Sequence, residues 1–300
     1  MRITQRSLAA TALQNLNRNM EAIAKLQAQQ TSGKSINKPS DDPTGTNSAM
    51  QVRQEMASAT QYSRNIGDAI SQLDATDSAL TNITAQVQSA RALTVKGLND
   101  GSLSDASRVA VQTEMKGIRE SLLGLANTAV KGQPIFGGVT SGASAYDAAG
   151  AYVGYGGTAG VPVVEVRRQV SEVDSVRVDV TGPEAFGDPA TGDLFSVIGD
   201  IARDVVDDPA ALAGHLAALD KALDGLKKVA ADIGTRTNRV ETAQQVNQDL
   251  QLTLQTRSAS IENIDLAKTM VDLSMMQTGY QAALGATAKV VQPTLLDFLR

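Results

Sequence analysis

Residues 212–261 read LAGHLAALDKALDGLKKVAADIGTRTNRVETAQQVNQDLQLTLQTRSASI. Every seventh residue from Leu212 is Leu219, Leu226, Ile233, Val240, Asn247, Leu254 and Ile261. Seven of these eight are apolar in a chain that is 42% apolar, so the repeat is not a product of composition. A repeat of seven marks one buried stripe along a long α-helix. The companion apolar positions drift from Leu216 and Leu223 to Ala243, Leu250 and Ile264, as they must when seven residues only approximate two helical turns. Asn247 is the polar exception, the kind of seam residue that fixes register at some cost in stability.

The prolines show how far this pattern can extend. They stand at 39, 43, 134, 162, 183, 189, 209 and 293, which leaves 44–133 and 210–292 free of helix breakers. In the first of these stretches Val52, Met56, Ala59, Ile66, Ile70, Leu73, Leu80 and Val87 follow alternating steps of four and three, interrupted by Ser63, Asp77 and Thr84. After the turn at Asn99-Asp100-Gly101-Ser102, a further helix is predicted from Val111, Met115, Ile118, Leu122, Leu125 and Ala129. At about 1.5 Å per residue, 45–97 and 210–264 would each reach about 80 Å. The reading is mainly α: a long antiparallel helical rod with terminal coiled-coil helices and a small inserted β-rich domain.

The insert is placed at 133–192. Six of the nine aromatic residues fall between Phe136 and Phe195, and glycines crowd 137–160. Val161–Val166 and Val173–Val180 are predicted strands. The helical rod domain is then 45–132 with 193–264.

The two ends, 1–44 and 265–300, are read as a terminal helical assembly domain. Leu13, Leu16, Met20 and Ile23 form a stripe near the start. Leu266, Met270, Leu273, Tyr280, Leu284 and Val291 form another near the end, with Leu295 and Phe298 beyond. Each stripe lacks a partner within its own segment, and such helices are marginal alone. The two are expected to cover each other, and to do so on assembly, so that free chains do not polymerise early.

Composition excludes several classes of function. Aromatics are 3% of the chain, there is no Trp, and Ala, Leu, Val and Ile carry the apolar content, which suits narrow helix seams. The net charge of −5 argues against nucleic acid as a partner. Residues 1–38 are basic, with six Lys and Arg against Glu21, but the charges are scattered and read as a solvated or partner-facing helix side. Cysteine is absent, which removes disulfides and thiolate chemistry. No apolar run is long enough to span a membrane, and polar residues interrupt the first twenty, so no cleaved secretory signal is expected.

No motif assembles an active site. Gly33-Lys34-Ser35 has the end of a phosphate-binding loop, but Ala28 stands where its first glycine belongs. Gly154–Ala159 fits a loose dinucleotide pattern, but a strand rather than a helix is predicted after it. Asp41-Asp42-Pro43 and Asp207-Asp208-Pro209 could pair carboxylates, yet each sits where a long helix begins, with Asp suited to capping and Pro to the first turn. His215 has no second His and no Cys to work with. The expectation is no enzyme, no cofactor and no metal.

A family resemblance completes the reading. Ser32-Gly33-Lys34-Ser35-Ile36-Asn37-Lys38-Pro39-Ser40-Asp41-Asp42-Pro43 resembles the segment shared by bacterial flagellins and hook-associated proteins. Asn65-Ile66, Leu122–Asn127, Ile135-Phe136-Gly137-Gly138, Ile264-Asp265-Leu266-Ala267 and Leu295–Leu299 resemble later landmarks of that family. The resemblance covers both arms, about 240 residues, and leaves the middle unmatched. Asp41-Asp42-Pro43-Thr44-Gly45 and Leu296-Asp297-Phe298-Leu299 favour the members found at the hook–filament junction. Gln292-Pro293 is flagellin-like and keeps the filament subunit as the alternative. The resemblance implies a secreted, extracellular protein of the flagellum, exported through the type III channel with an export chaperone. Its implied partners are other copies of itself in a tubular ring, another hook-associated protein on the hook side and flagellin on the filament side.

Overall fold

The computed structural model describes residues 2–99, 104–140, 142–158, 161–189 and 192–291. The fold is mainly helical, with long helices and two small antiparallel sheets. The elements in order are α1 (Arg2–Ser32), α2 (Pro43–Asn99), α3 (Asp105–Ala126), β1 (Ala129–Val130), β2 (Gln133–Pro134), β3 (Arg167–Gln169), β4 (Ser175–Arg177), α4 (Gly182–Phe186), α5 (Leu194–Asp207), α6 (Leu212–Glu262) and α7 (Leu266–Val291). They form two compact units, one of residues 1–58 with 250–300 and one of residues 59–249.

The larger unit holds the main core. Along α6, Leu212, Leu219, Leu226, Ile233 and Val240 are fully buried. Along α2, Ile66, Leu73, Leu80 and Val87 join them in one apolar cluster. The two helices run antiparallel here: Arg91 makes a forked ion pair with Asp220 (2.5 and 3.2 Å), and Asn247 donates to the carbonyl of Ala59 at 3.0 Å. Asn247 is buried, and this bond satisfies it across the seam.

The second row of α2 differs from the alternating pattern. The buried companions are Ala69, Thr76, Ile83 and Ala90, three residues after each seam position, while Ser63 and Asp77 are exposed. The threonines hide because their hydroxyls bond the carbonyl four residues back, Thr76 to Gln72 and Thr94 to Ala90, both at 2.8 Å. A threonine so satisfied packs as a small apolar residue.

In α3, Ser104 caps the start, and Val111, Met115, Ile118 and Leu122 are buried as expected. The helix stops at Ala126, so Ala129 stands instead in β1, exposed. Asp42 and Asp208 cap as their sequences suggest, accepting from the N–H of Gly45 (2.9 Å) and Ala210 (3.2 Å). A 3-10 turn, Pro209–Ala211, leads into α6.

The middle segment has less strand than predicted. β3 pairs with β4 through Arg167–Arg177, Arg168–Val176 and Gln169–Ser175. Val161–Val166, expected as a strand, lies outside every sheet of the described residues. One bond carries the β3–β4 pairing a residue further, from the Val178 N–H to the Val166 carbonyl at 2.9 Å, while the Val166 N–H goes to the buried Asp179 carboxylate at 2.7 Å, which also holds Arg177 at 3.1 Å. Beyond it the chain turns to Phe136 and Gly137, with Gly182 N–H bonded to the Phe136 carbonyl at 2.8 Å. Phe136, Tyr146, Phe186 and Phe195 form an aromatic cluster with ring centroids 4.7–5.8 Å apart. It belongs to the same apolar cluster as the helix seam.

Candidate assembly surface

The smaller unit presents the residues singled out at the two ends. α1 packs against α7. On α1, Leu16 is buried, and Ala9, Ala12, Ile23 and Leu26 are half-buried. On α7, Thr269 is buried, and Leu273, Tyr280, Ala283 and Thr287 are half-buried. Small residues at 9, 12 and 283 allow close approach, and the spacing is the three-and-four rhythm of one helix face.

The predicted stripes are wider than this contact. Leu13, Met20, Leu266, Met270, Val271 and Met275 each keep more than half of their surface open, and Leu284 is exposed as well. Leu16, Ile23, Leu273 and Tyr280 therefore fall on the covered side, and Leu13, Met20, Leu266, Met270 and Leu284 on the open side. Of the remaining positions, Val291 ends α7 with its side chain undescribed, and Leu295 and Phe298 lie outside the described residues. A groove of about 460 Å³ runs between the helices, lined by Ala22, Leu26, Met275 and Met276, with Lys25 and Asp272 at its walls. Exposed apolar side chains beside such a groove suit an interaction surface, and methionines adapt to irregular partners.

At the far end of the pair the chain breaks twice. α1 stops at Ser32, with Gly33 in the left-handed region at φ +69° and its N–H bonded to the Gln29 carbonyl. α6 stops at Glu262, four residues before α7. The breaks are bonded to each other: Ser35 N–H to the Glu262 carbonyl at 2.7 Å, Ile264 N–H to the Gly33 carbonyl at 3.2 Å, and the Ser35 hydroxyl to the Ile261 carbonyl at 3.1 Å. The Glu262 carboxylate is buried and accepts from Lys34 Nζ (2.8 Å) and from Arg53 Nε and Nη2 (2.9 and 2.8 Å). The hydrogen bonds from Arg53 and then Lys34 hold this carboxyl below the usual glutamate range. The sequence pattern did not reveal Glu262. Lys34 carried a signal as an unexplained cation in the Gly33–Ser35 turn, but its partner lies 228 residues away.

Among the described residues no cluster of His, Asp and Glu could hold a metal, and no helix is long and apolar enough to cross a membrane. His215 Nε2 meets Asp204 at 2.8 Å, a contact between α6 and α5 rather than part of a catalytic group.

The bacterial flagellin N-terminal helical region matches residues 3–141, and the bacterial flagellin C-terminal helical region matches residues 216–299. The chain is 29% identical to flagellar hook-associated protein 3 of Escherichia coli (strain K12), over 88% of its own length and 91% of that protein. It is 24% identical to flagellin of Bacillus subtilis (strain 168), over the whole of both. Its fold resembles that of the flagellar junction protein FlgL from Legionella pneumophila, with a TM-score of 0.57, 16% identity and coverage of 73% of this chain and 100% of the other. With both helical regions matched in order on either side of an unmatched middle, the chain belongs to the bacterial flagellin family.

Proposed function

We propose that this chain is a structural component of the bacterial flagellum, the junction protein that connects the hook, through another hook-associated protein, to the flagellin filament. The observation that carries the reading is the half-covered pair α1–α7, whose open apolar face needs further helices to seal it. Over most of the chain, the 29% identity to hook-associated protein 3 of Escherichia coli exceeds the 24% to flagellin of Bacillus subtilis, which supports the junction over the filament. In this reading residues 1–44 and 265–300 form the assembly domain, 45–132 with 193–264 the helical support, and 133–192 the insert. Leu13, Met20, Leu266, Met270 and Leu284 meet neighbouring copies in a tubular ring, while Leu16, Ile23, Leu273 and Tyr280 hold the pair together. Val291, Leu295 and Phe298 are assigned to the same interface from the sequence pattern alone. The chain acts without catalysis, leaves the cell through the type III channel with an export chaperone, and is completed at the junction.

Locating the chain in sheared flagella tests this directly. A short band at the hook end is the expected result. Label along the whole filament would make it a flagellin, and its absence from flagella would refute both. Hydrogen exchange on the soluble chain tests completion on assembly: strong protection throughout α1 and α7 in free chains would overturn it.

A further inference from the structure

We infer that the larger unit carries a second, weaker contact between copies: the tip of the β3–β4 hairpin, Glu172-Val173, seats in a cleft beside α2 on the next copy of the chain, with Val173 as the apolar anchor and Glu172 paired to Arg168. This rests on the reading of the chain as one of several copies in a ring, and it adds which surfaces of the larger unit meet.

The tip is a fixed turn that displays one apolar residue. The N–H groups of Val170 and Ser171 both reach the Asp174 carbonyl (3.0 and 3.2 Å), and the Ser171 hydroxyl accepts from the Asp174 N–H at 3.0 Å. Arg239 of α6 holds the Asp174 carboxylate. At this turn, where polar residues are the rule, Val173 is 95% exposed. The Glu172 carboxylate beside it makes no hydrogen bond or ion pair among the described residues. The cleft, of about 300 Å³, has an apolar wall of Val130, Pro134, Ile135 and Val166. Of the charged groups that line it, Asp68 and Lys131 are paired to each other at 2.5 Å, and Asp179 holds Arg177 at 3.1 Å. Half-buried Arg168 is the one lining charge without such a partner among the described residues. The rim is also strained: Lys131 sits at φ +53°, a conformation that disfavours a side chain and that collects where a surface clamps a ligand. A valine beside a free carboxylate thus matches an apolar wall beside an unpaired guanidinium. The tip stands on α6, while the cleft opens beside α2. Contact between two such unlike surfaces is the head-to-tail kind that continues around a ring. One valine and one ion pair are too little to hold free chains together, and they become effective once the terminal helices have gathered the copies.

The chain has no cysteine, so one can be placed without interference. Two chains, one carrying Val173→Cys and the other Gln133→Cys at an exposed residue of the cleft, are co-expressed in cells lacking the unaltered chain. Their flagella are sheared and oxidised. A disulfide-linked dimer of one chain of each kind is expected, and neither chain should form one by itself. Glu172→Arg added to the Val173→Cys chain should lower the yield about tenfold, and Arg168→Glu added to the other chain should restore it. Urea unfolding of the free chain should be unaltered by Glu172→Arg, which separates contact from fold. Linkage of the Val173→Cys chain to itself or to a different protein overturns the inference. So does an absence of linkage in flagella that contain both chains, or a yield indifferent to the charge reversal. Should the cysteine chains fail to incorporate, the reversal in chains without cysteine decides: Glu172→Arg must lower incorporation, and Glu172→Arg with Arg168→Glu must restore it. These failures leave the function proposed above intact, whereas absence of the unaltered chain from flagella removes that function and this contact with it.

Discussion

In the larger unit, the seam of α2 and α6 hides its apolar residues completely, with Leu219, Leu226, Ile233 and Val240 at zero exposure. In the smaller unit, α1 and α7 carry stripes of the same period, and half of each stripe remains open. The heptad pattern is therefore silent about which partner covers it. One seam is satisfied within the chain and acts as support. The other is satisfied only in part, and its remainder is available to other chains.

Removing residues 270–300 should have the largest effect, abolishing incorporation at the junction while the helices of the larger unit keep their circular dichroism and unfolding midpoint. Normal incorporation of that truncated chain would erase the distinction. Leu226→Ala should destabilise the sealed seam by roughly 2–5 kcal/mol in urea unfolding, whereas Met275→Ala should cost under about 0.5 kcal/mol in the free chain. Similar losses for the two would show the stripes to be equally buried in solution.

A smaller, pH-dependent effect is expected around Glu262. Its folded carboxyl holds a proton less readily than in the unfolded chain, because Arg53 and Lys34 favour its charged form. On acidification the unfolded chain takes up the proton first, so the stabilisation is complete above about pH 4.3 and fades as pH falls through the lower folded value. The stability difference between the unaltered chain and Glu262→Gln, measured by urea unfolding, should shrink over that acid range and stay constant near neutrality. The smallest effect belongs to Tyr146, which is 1% exposed and whose hydroxyl has no hydrogen-bond partner among the described residues. Tyr146→Phe should leave stability unchanged or raise it by up to about 1 kcal/mol, measured by thermal unfolding.

Much of the support was legible in the sequence. The repeat from Leu212 lies on the buried face through Leu254, including Asn247, because a long helix against one partner leaves a strict period. The caps at Asp42 and Asp208 were legible because capping is local. Four features were not. The second row of α2 was misplaced because Thr76 and Thr94 look polar until their hydroxyls are seen bonded to their own helix. Val161–Val166 has strong strand chemistry, but only Val166 is bonded to the chain beyond β4, through its carbonyl, and its N–H goes to the Asp179 side chain. Glu262 gave no periodic signal, since its meaning lies in two cations brought from distant segments. The division of each terminal stripe into a covered and an open half depends on how two helices rotate against each other, which spacing alone leaves undetermined.

The bond between the two breaks also sets an order in time. Lys34 is made early and Glu262 late, 228 residues later. A chain that emerges from its N-terminus first cannot close this bond until nearly nine-tenths of it has appeared. Closing so long a loop carries a substantial entropic cost, so it should follow formation of the local helices rather than precede it. The two breaks thus become joined only in chains that have arrived almost whole, and an interrupted chain is left without the bond that ties the end of α1 to the start of α7.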